Sequence, residues 1–452
     1  MKILIVNLGI GGGGAERVLV DMIKYWHNNA EILAKTATAR NVTGGGIIES
    51  SQADSSDSTN STESNAESAE SNKADSNANP ADSTESNAVS SNPTHLANST
   101  LINPKRDIDL FLIEKKKKDA YLGFVEEHLH KVFSFPHIFG KVRFLNKFFK
   151  RRVLNNPNLI NYFIKERYDV NIGFLEGISS IYVSQKVGGR KIGYIHTSLF
   201  EMRDGKRDSA ELEAYKKLDC IICVSKYVRD SLLRLYPELQ NKDIRVIHNP
   251  IDSKSILIKS NLAPEIKRTK FTFLQIGRLT YQKGLITLLE ANKILLDSLK
   301  ESGENAEYEI WLLGEGERYK KELDEVIKSQ GVDNVRFLGF SENPYNIIKL
   351  CDCVVLASYF EGYGLVLAES CVLNKAIISS DIPTSKELLD DDGVSCASFF
   401  ESKNARALAE CMRRVLSDEA YKKELESLAG NLGRKFDISK TAMQIQRAIM
   451  GE

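Results

Sequence analysis

Short runs rich in isoleucine and valine alternate with longer helical patterns over most of this chain. The alternation predicts parallel strands joined by crossover helices, and therefore an α/β fold. In the first half, strands are predicted over residues 2–7, 108–113, 132–135, 170–174, 191–195 and 220–224. In the second half, they are predicted over residues 271–276, 309–313, 335–337, 353–356 and 376–379.

A domain boundary is predicted near Pro250 and Pro264, which interrupt regular structure within a polar, basic stretch. The 452 residues are enough for two domains that each bury a core. We expect Rossmann-like, doubly wound domains over residues 1–250 and 251–430, facing each other across a cleft. The helical pattern of residues 431–452 predicts a terminal helix that packs back on the first domain.

Residues from about 40 to 103 consist mainly of serine, asparagine, aspartate, alanine, threonine and glutamate, with few large apolar side chains. Such a segment cannot offset its ordering entropy by burial. We therefore predict a disordered insertion between the first helix and the second strand. The fold tolerates it because a longer surface loop adds little closure entropy.

Charge and cysteine content exclude several classes of protein. With 61 basic and 61 acidic residues the net charge is +0, so no global field draws the chain to nucleic acid. The seven cysteines are odd in number and none precedes Cys220, unlike a secreted disulfide framework. The sequence shows neither a signal peptide nor the roughly 18 apolar residues of a membrane span. We expect a cytoplasmic protein, soluble or peripheral on a membrane.

The first motif that suggests chemistry is the glycine-rich run Gly9–Arg17, which follows a predicted strand and opens a helix. Glycines allow backbone amides to approach an anion at a helix N-terminus. A dinucleotide fingerprint fits poorly, because the spacing lacks a clean G-x-G-x-x-G. A purely structural tight turn is the alternative interpretation.

The most specific motif is Ser358–Ser370, which again follows a strand and begins a helix. Glu361 lies in a turn with Gly362 and Gly364, whereas Glu369 lies inside an apolar helical pattern. A buried carboxylate there needs hydrogen-bond donors, and a ribose diol supplies two of them. Alternatively, Glu369 caps neighbouring backbone or pairs with a lysine.

A third motif, Gly277–Gly284, follows the first predicted strand of the second domain. It places Arg278 and Lys283 at the carboxyl edge of a parallel sheet, where α/β folds bind ligands. Their positive charges suit a diphosphate. The alternative is solvated surface charge.

Together the three motifs resemble those of the GT4-type retaining glycosyltransferases of the GT-B fold, also described as glycosyl transferases group 1. The resemblance covers nearly the whole chain outside the insertion. The family's paired glutamates match Glu361 and Glu369. Its phosphate-binding basic residues match Arg278 and Lys283. Its N-terminal glycine pair matches Gly13 and Gly14.

The resemblance implies that the first domain holds the acceptor and the second holds a nucleotide-sugar. Glu361 would face the donor sugar, Glu369 would hold the ribose, and Arg278 and Lys283 would neutralise the diphosphate. Backbone amides for the sugar and diphosphate would come from Gly362, Tyr363, Gly364 and Leu365. The nucleotide base would be bordered by Gly314, Gly316, Phe337 and Leu338.

His196 follows a predicted strand of the first domain. The family often places a histidine there, against the transferred sugar. By that resemblance, the side chain of His196 or a neighbouring carbonyl would stabilise positive charge in the transition state. A structural histidine is the alternative.

Two patterns suggest metal sites at first sight. Asp107–Asp109 resembles the metal-binding Asp-x-Asp of the other major glycosyltransferase fold, but the pair merely begins a strand. Cys220 and Cys223 would point to opposite faces of a strand, and Cys351–Cys353 has apolar neighbours. Both cysteine pairs are therefore predicted to be core thiols. We therefore expect no metal and no cofactor, since the nucleotide-sugar is a substrate.

A basic, aromatic stretch over residues 137–152 predicts an amphipathic helix, and Lys115–Lys118 adds positive charge to the same domain. Such a helix suits the anionic inner face of a membrane or the phosphate of a lipid-linked acceptor. A packed helix with a solvated basic face is the alternative.

The sequence thus predicts a retaining hexosyl- or N-acetylhexosaminyl-transferase that uses a nucleotide-sugar, with UDP the commonest carrier in the family. The acceptor would be a glycan or a polyprenyl-phosphate-linked sugar in surface polysaccharide or glycoconjugate assembly. Two alternatives stay open. One is a nucleotide-sugar 2-epimerase of the same fold, and the other is a non-enzymatic sugar- or lipid-binding adaptor.

Deletion of residues 50–100 should leave folding and catalysis nearly unchanged, because this segment offers almost no apolar surface for burial. The melting temperature and turnover of the deletion variant, compared with those of the full chain, test this. A large fall in either would mean that the segment packs on the domain.

Overall fold

The computed structural model describes residues 1–11, 13–43, 101–116, 119–135, 156–304, 307–391 and 393–452. The chain divides into two compact units, of which one comprises Met1–Asn29 with Ile102–Glu452 and the other comprises Ala30–Leu101. Most of the predicted insertion and all of residues 137–152 lie outside the described residues. The fold and the site described below belong to the first unit.

The first unit contains a seven-stranded parallel sheet in the order β3-β2-β1-β4-β5-β6-β7. Crossover connections bury a parallel sheet on both faces, and this explains the continuous apolar runs of its central strands. Ile3 on β1 lies between Ile108 on β2 and Val170 on β4. The seven strands are β1 Ile3–Asn7, β2 Ile108–Leu112, β3 Lys131–Ser134, β4 Val170–Gly173, β5 Arg190–Ile195, β6 Cys220–Cys223 and β7 Ile244–Val246.

A second parallel sheet has six strands in the order β10-β9-β8-β11-β12-β15. Its strands are β8 Phe271–Ile276, β9 Tyr308–Leu313, β10 Val335–Gly339, β11 Cys353–Leu356, β12 Ala376–Ser380 and β15 Ser398–Phe400. Two short strands, β13 Asp390–Asp391 and β14 Val394–Ser395, pair antiparallel outside it. In each sheet the strand order reverses beside an interior strand, which is β1 in the first sheet and β8 in the second, as in doubly wound folds.

The predicted α/β class is confirmed, and each of the eleven predicted strands is present with ends within two residues of the prediction. The prediction missed the short pair β13 and β14, and it missed β7 and β15, which are the last strands of the two sheets. Both have three residues, and β7 is only half-buried along its length. Short edge strands lack the long apolar run that marks a buried parallel strand.

Helices cover both sheets. Those of the first half are Gly14–Thr43, Pro104–Asp107, Leu122–His128, Ile160–Phe163, Ile178–Ser184, Leu199–Met202, Ser209–Lys217, Lys226–Leu235 and Ser253–Ser260. Those of the second half are Leu285–Ser302, Glu317–Gln330, Pro344–Leu350, Leu365–Val372, Pro383–Leu389, Ala405–Ser417, Glu419–Gly433 and Ile438–Met450. No helix in the described part of the chain is long and apolar enough to cross a membrane.

The two sheets share part of their apolar core. One apolar cluster includes Leu4 and Val6 of the first sheet together with Leu274 and Trp311 of the second. Another cluster joins the opposite face of the first sheet to the last helix, Ile438–Met450. The terminal helix therefore contributes to the core of the first sheet, although it follows the second sheet in sequence.

Candidate active site

A cavity of about 1130 Å³ opens at the carboxyl ends of β8, β9 and β10. Strand ends at this edge of a parallel sheet place loops, rather than strand side chains, around a ligand. Both halves of the chain contribute to its wall. Six predicted site residues line it, namely Gly13, Arg278, Gly314, Gly316, Phe337 and Leu338.

Gly314 shows why the cavity floor requires glycine. Its φ is +146°, and a Cβ there would lie 1.9 Å from the carbonyl oxygen of Gly277. Any side chain would push apart the turns that follow β8 and β9. Arg278, in the first of these turns, is exposed at the cavity wall.

Glu361 lies in the turn after β11 and meets Lys283 from the turn after β8. The Lys283 Nζ is 2.6 Å from Glu361 Oε1, and both side chains are more than four-fifths buried. Ser358 Oγ donates to the same carboxylate oxygen at 2.6 Å. The structure therefore brings together two residues that the sequence assigned separately to the sugar and the diphosphate.

Glu369 lies in the helix Leu365–Val372, and its side chain is 4% exposed. The Arg17 guanidinium donates to Glu369 Oε1 at 2.5 Å. Burial raises the pKa of Glu369, while the charge and hydrogen bond of Arg17 oppose that rise. The partner predicted as an alternative was a lysine, whereas the observed partner is an arginine from the first half of the chain.

Arg17 ends the first glycine motif, and the sequence pattern assigns it no role. It lies in the first turn of the helix Gly14–Thr43, lines the cavity and sits over the Tyr345 ring at 5.2 Å. The only available signal was a cation at the end of the glycine run. Its carboxylate partner is 352 residues away, so sequence spacing could not identify the pair.

His196 follows β5, and its ring stacks on Tyr194 with the ring centroids 5.4 Å apart. Both ring nitrogens are buried without a well-aligned hydrogen bond among the described residues. Burial lowers the pKa of His196 to about 3, so the ring is neutral at physiological pH. Its backbone N–H donates to the Glu176 carboxylate at 3.0 Å, a contact that the sequence did not suggest.

The glutamate turn packs directly on the end of β5. A Cβ on Gly362 would lie 1.8 Å from the carbonyl oxygen of His196. Ser225 Oγ donates to the Gly362 carbonyl at 2.7 Å. The turn that contains Glu361 is therefore in backbone contact with the residue that follows β5, although the two follow strands of different sheets.

The other predicted residues of this turn also lie near the first sheet. The buried Tyr363 ring lies 5.3 Å from the His248 ring. Gly364 precedes the helix that contains Glu369 with a φ of +85°. Leu365 Cδ1 would lie 3.3 Å from a Cβ on Gly14, so the two glycine turns nearly touch.

The acidic pair considered for metal binding is occupied by protein partners. Asp107 accepts hydrogen bonds from Arg106, and Asp109 accepts one from the Tyr168 hydroxyl at 2.7 Å. His130 Nδ1 lies 2.7 Å from the other oxygen of Asp109. Within the described ranges, no group of three or more histidine, cysteine or acidic side chains could hold a metal.

The cysteines are also explained by packing. All seven are free, and only Cys411 is not fully buried. Cys220 and Cys223 belong to different apolar clusters, on opposite faces of the first sheet. Burial raises the pKa of both thiols. These thiols are core side chains.

The predicted membrane-binding stretch lies outside the described residues, and so do Lys117 and Lys118. Lys115 is described, and its Nζ lies 2.5 Å from Glu126. The membrane interpretation therefore stays a prediction.

Two family descriptions match adjacent stretches of the chain. Residues 118–255 match "Glycosyltransferase Family 4" and residues 260–433 match "Glycosyl transferases group 1". The first stretch contains His196, and the second contains the two glutamates and the two basic residues of the cleft. The chain therefore belongs to the GT4-type glycosyltransferases.

Two curated relatives come from Campylobacter jejuni subsp. jejuni serotype O:2. The N-acetylgalactosamine-N,N'-diacetylbacillosaminyl-diphospho-undecaprenol 4-alpha-N-acetylgalactosaminyltransferase is 29% identical over 239 residues, covering 52% of this chain and 61% of that protein. The GalNAc-alpha-(1->4)-GalNAc-alpha-(1->3)-diNAcBac-PP-undecaprenol alpha-1,4-N-acetyl-D-galactosaminyltransferase is 27% identical over 321 residues, covering 68% and 79%. The chain thus spans less than two thirds of the first relative's length.

A solved structure of HepE from Anabaena in complex with UDP-glucose has a TM-score of 0.62 to this chain. The two are 16% identical, and the match covers 100% of both chains. At this identity the likeness concerns the fold. Both sheets and their cleft therefore form a GT-B fold with two Rossmann-like domains.

Replacement of Gly362 by alanine should destabilise the protein by about 1–3 kcal/mol, because the new Cβ meets rigid backbone at His196. The matched control is Gly123→Ala, on the exposed side of the helix Leu122–His128, where a Cβ meets nothing within 4 Å. That change should be neutral or slightly stabilising. Urea unfolding of both variants measures the difference, and equal free energies of unfolding would contradict the close approach.

Proposed function

We propose that this protein is a retaining glycosyltransferase that takes a sugar from a UDP-sugar and transfers it to a lipid-linked glycan. The observation that carries the proposal is the pairing of Lys283 with Glu361 and of Glu369 with Arg17, which lines the cavity. The family provides the expectation that the anomeric configuration is retained. The UDP carrier is supported by the Anabaena relative, whose structure contains UDP-glucose.

The donor would lie with its diphosphate near Arg278 and Lys283. The N-terminus of the helix Leu365–Val372 has no side-chain cap, and its free backbone amides would favour an anion. The base would occupy the cavity between Gly314 and Phe337. Glu369 would then accept hydrogen bonds from the ribose hydroxyls.

Transfer requires that the bond from the anomeric carbon to the diphosphate breaks as a bond to the acceptor oxygen forms, and the acceptor hydroxyl gives up its proton to the departing diphosphate. The electron pair of the broken bond leaves with the diphosphate, and the basic side chains stabilise that growing charge. The sugar becomes positively charged in the transition state. The His196 carbonyl or its neutral ring would stabilise this charge without adding a cation.

A lipid-linked acceptor is supported by the names of the Campylobacter relatives, which act on undecaprenol diphosphate-linked sugars. The same names support an N-acetylhexosaminyl group as the transferred sugar. Such an acceptor lies at a membrane, so the basic stretch 137–152 would hold the protein at its cytoplasmic face. The glycan product would serve surface polysaccharide or glycoconjugate assembly.

The proposal is tested by incubation of the purified protein with a panel of nucleotide-sugars, with and without a membrane lipid extract, and with EDTA in parallel. We expect release of UDP that depends on the lipid extract, a labelled glycolipid product, and little effect of EDTA. Conversion of UDP-N-acetylglucosamine without a glycosyl product would indicate an epimerase. Binding without turnover would indicate an adaptor. Loss of activity with EDTA, restored by manganese, would contradict the metal-independent mechanism.

Lys283→Ala should lower kcat by about 10²-fold, because the leaving diphosphate loses a positive charge that matters most in the transition state. The matched control is Lys293→Ala on the helix Leu285–Ser302, where the lysine pairs with Asp297 away from the cleft. Steady-state kinetics of both variants separate kcat from KM. Near wild-type kcat in a folded Lys283→Ala variant would remove this residue from the mechanism.

A further inference from the structure

A buried ion pair connects the two halves of the chain inside the proposed donor site. The Arg17 and Glu369 side chains are 21% and 4% exposed, and their nearest atoms are 2.5 Å apart. Arg17 belongs to the helix that follows β1, whereas Glu369 belongs to the helix that follows β11. Arg17 also lines the cavity, so the arginine end of the pair borders the space that a nucleotide would fill.

The Arg17 cation favours the ionised form of the Glu369 carboxyl group. Burial in an apolar helix raises the pKa of a carboxyl group, and the Asp21 carboxylate adds to the rise. Arg17 opposes both through its charge and its hydrogen bond. The charged and titratable groups that face the pair are Asp21 and Lys24 on the helix of Arg17, Tyr121 before the helix Leu122–His128, Lys259 on the helix Ser253–Ser260, and Tyr345 on the helix Pro344–Leu350.

The geometry is compatible with a ligand on the same carboxylate. An ionised carboxylate has about four lone-pair directions, and Arg17 uses Oε1. Acceptor capacity therefore remains for two hydroxyl groups. Protonation of Glu369 would remove part of that capacity and would turn one acceptor into a donor.

We propose that Arg17 is a positioning residue for the donor, which holds the Glu369 carboxylate ionised and oriented to accept the ribose hydroxyls. This inference rests on the proposed function. It means that the first half of the chain, which would hold the acceptor, also completes the ribose site of the second half. Donor binding therefore depends on the contact between the two halves.

The test measures the affinity of UDP by calorimetry between pH 7 and 9, above the range in which its terminal phosphate titrates. The wild-type protein should show a flat profile. Arg17→Ala should weaken UDP binding by about tenfold at pH 7, and affinity should recover as the pH rises and Glu369 ionises. Arg17→Lys should restore most of the affinity and the flat profile. Arg17→Ala/Glu369→Gln should bind weakly at every pH.

A second measurement needs no ligand. In Arg17→Ala, the pKa of Glu369 in the folded state lies above its value in the unfolded chain. Proton binding by Glu369 therefore stabilises the folded state. This contribution to the free energy of unfolding is complete at low pH and is lost as the pH rises through the folded-state pKa. The melting temperature of Arg17→Ala should fall between pH 5 and 8 relative to that of Arg17→Ala/Glu369→Gln. The control Arg229→Ala, which breaks an exposed pair with Asp230, should show no such trend.

The outcomes separate this inference from the proposed function. A wild-type protein that binds no nucleoside diphosphate would overturn both. Wild-type binding of UDP, with a loss in Arg17→Ala that does not change with pH, would overturn the role of Arg17 alone. If Arg17→Ala does not fold, Arg17→Gln removes the charge but keeps a hydrogen-bond donor, and the same pH dependence is expected.

Discussion

The contact between Arg17 and Glu369 is the interaction around which the cleft is arranged. A carboxylate in an apolar helix either pairs with a cation or loses its charge, because the penalty for an unpaired buried charge is several kcal/mol. The helix Leu365–Val372 contains no cation, and the partner comes from the helix that follows β1 of the first sheet. The contact between the two halves therefore stabilises the charge of Glu369, which in the proposed donor site would accept the ribose hydroxyls.

Backbone contacts give this arrangement its rigidity. Where Gly362 meets the His196 carbonyl and where Gly314 meets Gly277, two loops approach more closely than any side chain allows. Loops alone would position catalytic groups poorly, but these loops are short and begin at the ends of buried parallel strands. The His196 ring is buried against Tyr194 and is neutral. A charged imidazole could not be desolvated there without a partner.

Periodicity and motif spacing predicted most of the fold. The central strands were found because burial on both faces requires a continuous apolar run, whereas β7 and β15 were missed because edge strands do not. The three motifs each follow a predicted strand directly, and the carboxyl ends of parallel strands lie at the same edge of a sheet, so the sequence also predicted where these motifs lie. The role of Arg17, the Ser358 contact to Glu361 and the Glu176 contact to His196 were not predicted. Each depends on a pair of side chains whose proximity is not encoded in a local pattern.

The sequence by itself determined the α/β class, the two sheets, the family, and which glycines and charged residues follow which strands, because these depend on local periodicity and short-range chain geometry. The tertiary structure alone decided which charges meet. Lys283 reaches Glu361 across one sheet edge, and Arg17 reaches Glu369 across the cleft between two sheets. Such pairs form only when packing brings together residues that are far apart in the chain, and burial then decides whether each carboxylate keeps its charge.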